Sequence, residues 1–266
     1  MAPRRRRDTR KGLAAGPACL GHRPGLLLTA TVLACLSAPL HAQSRPFSGE
    51  VALSSQLVDR GLAISPATPI LQGSASWMSP GGWSMGLAGG VELRSPGQPV
   101  VVLGRVSRFW SLSDDWLAHA SLLYYDYRAE RYRGIPDRAE ANLYFTYRDT
   151  LSVGVSAMRP SGDQARRLLG AADVEVSYPL ARHLSLTAGA GIAQASAGPY
   201  RYGGYRYGPK NARDRVQLYG YGSLGLAWSD GALRLQLDRN MNSLGDRRLY
   251  GTQAPSDWSA TVSWSF

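Results

Sequence analysis

His119 and Ser121 stand two positions apart in the stretch HAS, so an extended chain would put an imidazole and a hydroxyl on one face. A base beside a hydroxyl is the start of nucleophilic ester hydrolysis, provided a third polar group orients the imidazole. Metal chemistry has less to work with. Both cysteines, Cys19 and Cys35, and two of the four histidines, His22 and His41, fall in the first 42 residues. Beyond them only His119 and His183 remain, whereas a metal site wants several such ligands converging. No cofactor and no metal site is expected. The richest polar chemistry is charge: Glu50, Glu92, Arg94, Arg105, Glu140, Asp173, Glu175, Arg234 and Asp238 all fall on polar faces of alternating segments.

The elements that position these residues begin after a leader. RRRRDTRK is a positive run, Gly25 to Leu40 is apolar, and LHA precedes Gln43. This predicts a cleaved secretory signal peptide over residues 1–42 and one domain over 43–266. A membrane anchor fits less well, because the apolar run is short of the ~20 residues a spanning helix needs and Pro39 closes it. Cys35 in VLAC offers a lipoprotein-type cut, secondary to the one after Ala42. Without the leader, the 30 basic and 19 acidic residues become 23 and 18, a net charge of +5 instead of +11. The basic balance is then modest and gives no support to nucleic-acid binding. A mature chain without cysteine also excludes disulfides and thiol nucleophiles.

Twelve alternating segments follow. They open at EVALSSQLV (50–58), ILQGSASWM (70–78), WSMGLAGGVELR (83–94), VVVLGRVSRFW (100–110), WLAHASLLYYDY (116–127) and AEANLYFTY (139–147). They continue with LSVGVSA (151–157), LGAADVEVSY (169–178), LSLTAGAGI (184–192), RVQLYGYGSLGLAW (215–228), ALRLQLDRN (232–240) and DWSATVSWSF (257–266). One face of each is apolar and the other polar, the period-2 signature of strands. Connections alternate in length: short ones such as SPGG and SDG after even segments, mostly longer ones after odd segments. The fold class this predicts is all-β, a transmembrane antiparallel up-and-down β-barrel of twelve strands, with both termini at the short-turn end. Ten or fourteen strands stay open, since the fourth and eleventh segments are the least clearly patterned. Closure has a physical reason, because an unpaired backbone group in hydrocarbon costs several kcal/mol. Trp116 and Tyr124, eight residues apart on one face, would bracket an apolar band.

The last segment carries Val262, Trp264 and Phe266 on its apolar face and ends on the aromatic. It resembles the signal that bacterial barrel proteins present to their outer-membrane assembly machinery, which makes that machinery an expected partner. The first strands carry a second resemblance. Arg60-Gly61, Ile64-Ser65, Gln72-Gly73 and Gly82-Trp83, with LLYYDY at 122–127, are similar to the TorF-like porin family. Gln56 and Leu57 stand where that family often has Asp-Tyr. The resemblance implies an outer-membrane barrel with a pore function, and it carries over no catalytic residue.

In such a barrel the inner charges admit two readings: a salt-bridged network that braces the interior, or a water-filled channel whose charges set ion preference. The many small inner residues favour the channel. His119 and Ser121 would then face the lumen, whereas a lipid hydrolase needs its nucleophile towards the bilayer, so a polar wall is the simpler account. The long loops are basic and aromatic, above all GPYRYGGYRYGPK with Arg201, Arg206 and Lys210, joined by Arg166, Arg167, Arg247 and Arg248. They would meet lipopolysaccharide phosphates or draw anions to the mouth. The expected function is passive diffusion of small hydrophilic solutes across the bacterial outer membrane, with a preference for anions. The alternative is a non-conducting structural, adhesive or receptor barrel acting through its loops. The sequence leaves the solute, the pore radius and the oligomeric state open.

Overall fold

The structure, a computed structural model, describes residues 46–94, 99–128, 137–161, 167–196, 200–202, 205–207, 216–243 and 256–266. The leader and much of the basic loops lie outside these residues. In chain order the strands are β1 (Phe47–Ser54), β2 (Val58–Asp59), β3 (Leu62–Ala63), β4 (Ile70–Met78), β5 (Trp83–Glu92), β6 (Pro99–Ser111), β7 (Trp116–Asp126) and β8 (Arg138–Tyr147). There follow β9 (Leu151–Pro160), β10 (Leu169–Ala181), β11 (Leu184–Ser196), β12 (Tyr200–Tyr202), β13 (Tyr205–Tyr207), β14 (Val216–Asp230), β15 (Leu233–Asn242) and β16 (Trp258–Ser265).

Twelve of them close a barrel in the order β1, β4 to β11, β14, β15 and β16, each antiparallel to its neighbours. All twelve expected segments are barrel strands, including the two least clearly patterned. The other four form small hairpins inside two long connections, β2–β3 and β12–β13. The seam joins first strand to last in register, Val51 opposite Trp264 and Leu53 opposite Val262. Gly49 and Phe266 exchange two backbone hydrogen bonds of 2.9 Å, so the last residue is itself paired. No edge is left for hydrocarbon to reach.

Alternation sorts the wall. Leu87, Leu122, Val155, Ile192, Leu218 and Leu237 are exposed on the outside, where a bilayer would take the place of water. Aromatic residues collect at the short-turn end of this belt, among them Trp83, Trp110, Trp116, Tyr178 and Trp264. Arg108 points outward there, its guanidinium 5.2 Å from the Trp83 ring and 5.9 Å from Trp110. A long cation among interfacial aromatics can keep its charge in water while its stem covers apolar surface. Tyr124 and Trp258 mark the long-loop end. Pro179 sits where the β10–β11 register shifts, a position that tolerates a missing donor.

Candidate functional site

The inner wall is polar at mid-height. A cavity of 580 Å³ lies inside the barrel, lined among others by Glu50, Glu175, Ser223, Asp238, Thr261 and Arg60. The first five come from strands of the wall. Arg60 does not: it comes from the connection 55–69, which folds inward and carries the β2–β3 hairpin into the bore.

The hairpin is built from a two-residue turn. Arg60 and Gly61 both have positive φ, 48° and 69°, the twist that suits a tight hairpin. At 61 glycine is required twice over. Its conformation disfavours a side chain, and a Cβ there would stand 2.7 Å from the Tyr221 Cβ. At 60 an arginine occupies a region that costs a residue with a Cβ roughly 1–2 kcal/mol. The contacts made by its side chain offset that cost.

Arg60 reaches across the bore to three strands. Its Nη2 and Nη1 donate to the two Glu140 oxygens at 2.5 and 3.2 Å. Nη2 also donates to Ser156 Oγ at 2.9 Å, and Nε lies 3.8 Å from Asp173 Oδ1. The Glu140 side chain is 1% exposed and that of Arg60 11%, so the fork is almost dry. Charge-assisted, two-point pairing of this kind is among the stronger polar contacts. Arg138 completes the network. It donates to Asp59 Oδ2 at 2.5 Å, pairs with Glu140 Oε2 at 3.3 Å and lies 4.3 Å from the Tyr125 ring centre.

Burial favours the neutral form of Asp59, but Arg138 and Arg60 outweigh it and hold its pKa below the usual carboxylate value. Burial likewise opposes the Arg60 charge, yet the bond to Glu140 and the nearby carboxylates outweigh it and hold the pKa above its usual value. Both groups stay charged through neutral pH.

Apolar contact secures the same hairpin. Leu62 and Tyr221 pack on a buried cluster of Met158, Leu169, Ala171, Ala193, Ala195 and Tyr219 at the long-loop end of the inner wall. Asn242 Nδ2 donates to the Gly61 carbonyl at 2.9 Å. Nearer the base of the connection, Gln56 Nε2 donates to the Ser65 carbonyl at 3.1 Å, and Thr68 Oγ1 donates to Glu92 at 3.1 Å.

Below the hairpin the wall keeps its side chains flat. Tyr144 faces Gly154 across β8–β9, and Tyr221 faces Gly191 across β11–β14. A Cβ at 154 would overlap the Tyr144 ring, and one at 191 would stand 2.5 Å from the Tyr221 hydroxyl. Each glycine lets a tyrosine ring lie along the wall.

The expected inner charges thus divide. Glu50, Glu140, Asp173, Glu175 and Asp238 line the cavity. Glu92 is buried near the base of the inward connection, and Arg94 lies just beyond β5, exposed. Arg105 is at mid-strand on β6, and Arg234, near the short-turn end of β15, donates to Gln236 at 3.0 Å. Neither lines the cavity. Asp59, Arg60 and Arg138 were not among the expected residues, although Arg60-Gly61 stood in the family-like stretch.

His119 stacks on Phe109, ring centres 4.4 Å apart, and its Nε2 has no hydrogen-bond partner. Ser121 is buried. Among the described residues no hydrogen bond joins the two, and no group of three metal-type ligands converges. A second hollow, of 640 Å³, lies on the outer wall between Trp77, Leu87, Gly104, Val106 and Tyr124, and its lining belongs to the apolar belt. Val262 and Trp264 are exposed on the outer face of β16, and Phe266, one residue past its end, is exposed as well. The loop arginines from which anion preference was expected are, apart from Arg167, outside the described residues or lack described side chains.

No family model matches the chain, and no curated protein matches it. Solved structures do. The NanC porin is 11% identical with a TM-score of 0.50, covering 83% of this chain and 98% of that one. The KdgM porin is 10% identical with a TM-score of 0.48, covering 82% and 99%. The COG4313 outer membrane channel from Pseudomonas putida F1 is 11% identical with a TM-score of 0.47, covering 86% and 98%. At this identity the likeness to the NanC porin establishes the fold alone, a closed barrel of the outer-membrane porin type.

Proposed function

We propose that the chain is an outer-membrane channel through which small hydrophilic solutes diffuse passively. The carrying observation is a polar cavity of 580 Å³ inside a closed barrel whose outer wall is apolar. Water and polar solutes have a place inside such a wall, and acyl chains have one outside. The TorF-like resemblance of the first strands and the porin fold support the same reading.

Residues 1–42 serve as the export signal, and 43–266 form the inserted domain. Val262, Trp264 and Phe266 present the assembly signal to the insertion machinery. The basic loops meet lipopolysaccharide. The long-loop end, with its inward hairpin, faces the cell exterior.

Purified protein in planar bilayers tests the function. Discrete current steps are the expected result, and a silent bilayer at every voltage would contradict it. The hairpin itself favours a second reading, a non-conducting barrel that acts through its loops. That reading is supported if the intact chain is silent and a chain lacking residues 58–63 conducts.

A further inference from the structure

Resting on the channel reading, we propose that the space left beside the inward hairpin selects for small cations, with Glu50, Glu175 and Asp238 as the residues that set this specificity. The argument starts from which charges remain free. Six carboxylates line the cavity: Glu50, Asp59, Glu140, Asp173, Glu175 and Asp238. Among the described residues Arg60 is the one cation in that lining, and Glu140 and Asp173 engage it. Asp59 is taken up by Arg138. The hairpin thus consumes the cavity's positive charge in its own docking.

Glu50, Glu175 and Asp238 have no ion pair among the described residues. Glu50 accepts from Ser265 at 3.5 Å, and Asp238 accepts from Gln236 at 2.9 and 3.1 Å and from Thr187 at 3.4 Å. Hydroxyls and an amide orient a carboxylate without neutralising it. The three belong to β1, β10 and β15, which fall within one run of six neighbouring strands, β10, β11, β14, β15, β16 and β1, so the negative field comes from one half of the wall. Arg105 and Arg234 are not in this lining, and Arg234 reaches it only through Gln236, to which it donates at 3.0 Å.

Low-dielectric walls focus such a field and raise the local concentration of the opposite ion. Rings of acidic side chains are a known device of cation-selective pores. Basic loops at the mouth act on a different stage of passage and leave this stretch unchanged.

Reversal potential in a potassium chloride gradient tests the inference. Wild type should reverse on the cation side of zero. The double variant E175Q/D238N should shift towards zero while single-channel steps persist and the barrel still migrates as a folded, heat-modifiable band. An anion-side reversal in wild type, or an unshifted reversal in a conducting variant, would overturn the inference and leave the channel reading intact. Absence of steps in wild type would overturn both.

Discussion

The two ends of the inner wall are made by the same strands and do opposite things. Towards the long loops, β9, β10, β11 and β14 present Met158, Leu169, Ala171, Ala193, Ala195 and Tyr219, and a hairpin packs on them. Two residues further along β10 the inner face becomes Asp173, which Arg60 still reaches, and then Glu175, and a cavity opens beside the hairpin. A barrel strand therefore carries two messages on its inner face. Apolar positions and the carboxylates that pair with Arg60 mark where chain returns to the bore, and the polar positions left over line the cavity.

The comparison breaks most readily at Glu140. Glu140→Ala leaves Arg60 and Arg138 without their shared buried carboxylate, a loss of about 3–5 kcal/mol for a broken buried pair. The hairpin should leave the wall. Trypsin should then cut after Arg60 in folded barrels, and conductance should rise, whereas wild type resists cleavage there. Gly61→Ala comes next. A side chain in the left-handed region, pressed against Tyr221, should destabilise hairpin docking by ~1–3 kcal/mol, read as partial cleavage at the same bond.

Acid gives a graded version. The depressed Asp59 pKa means its contribution is fully present above the unfolded value, near ~4, and is lost as pH falls through the lower folded value. Hydrogen-exchange protection of the 58–63 backbone, which reads hairpin docking and not the cavity charges, should hold from neutral pH down to about 4 and fall only below it. The smallest effects belong to the cavity wall. Gly154→Ala should push the Tyr144 ring into the bore and lower single-channel conductance without exposing Arg60 to trypsin. Ser121→Ala should leave conductance unchanged, because Ser121 serves only the wall.

Strand order, strand faces and barrel closure were readable because a period of two and an alternation of turn lengths are local properties. Leu122 and Val262 announce the outer face through their neighbours at i±2, with no knowledge of the partner strand. The hairpin contact is not local. Arg60 and Glu140 are 80 residues apart, and nothing in either stretch names the other. Arg138 escaped notice because it stands at the boundary of the 128–137 loop, where alternation gives no face. A signal did exist: the small and apolar inner residues Ala193, Ala195, Leu169 and Ala171 have no reason to face water, and DRGLAIS supplies a turn and an apolar partner for them. His119 shows the same limit. The His-x-Ser spacing and its inward face were readable from the strand, but the stack of the His119 ring on Phe109, across to the next strand, was not.

The most direct test of the account compares single-channel conductance of the intact chain with that of a chain in which residues 58–63 are replaced by two glycines, both reconstituted from folded, detergent-purified barrels. The account predicts steps from both proteins and larger steps from the shortened one, because the hairpin occupies part of a continuous aqueous path. Equal steps, or silence from the shortened barrel, would contradict it.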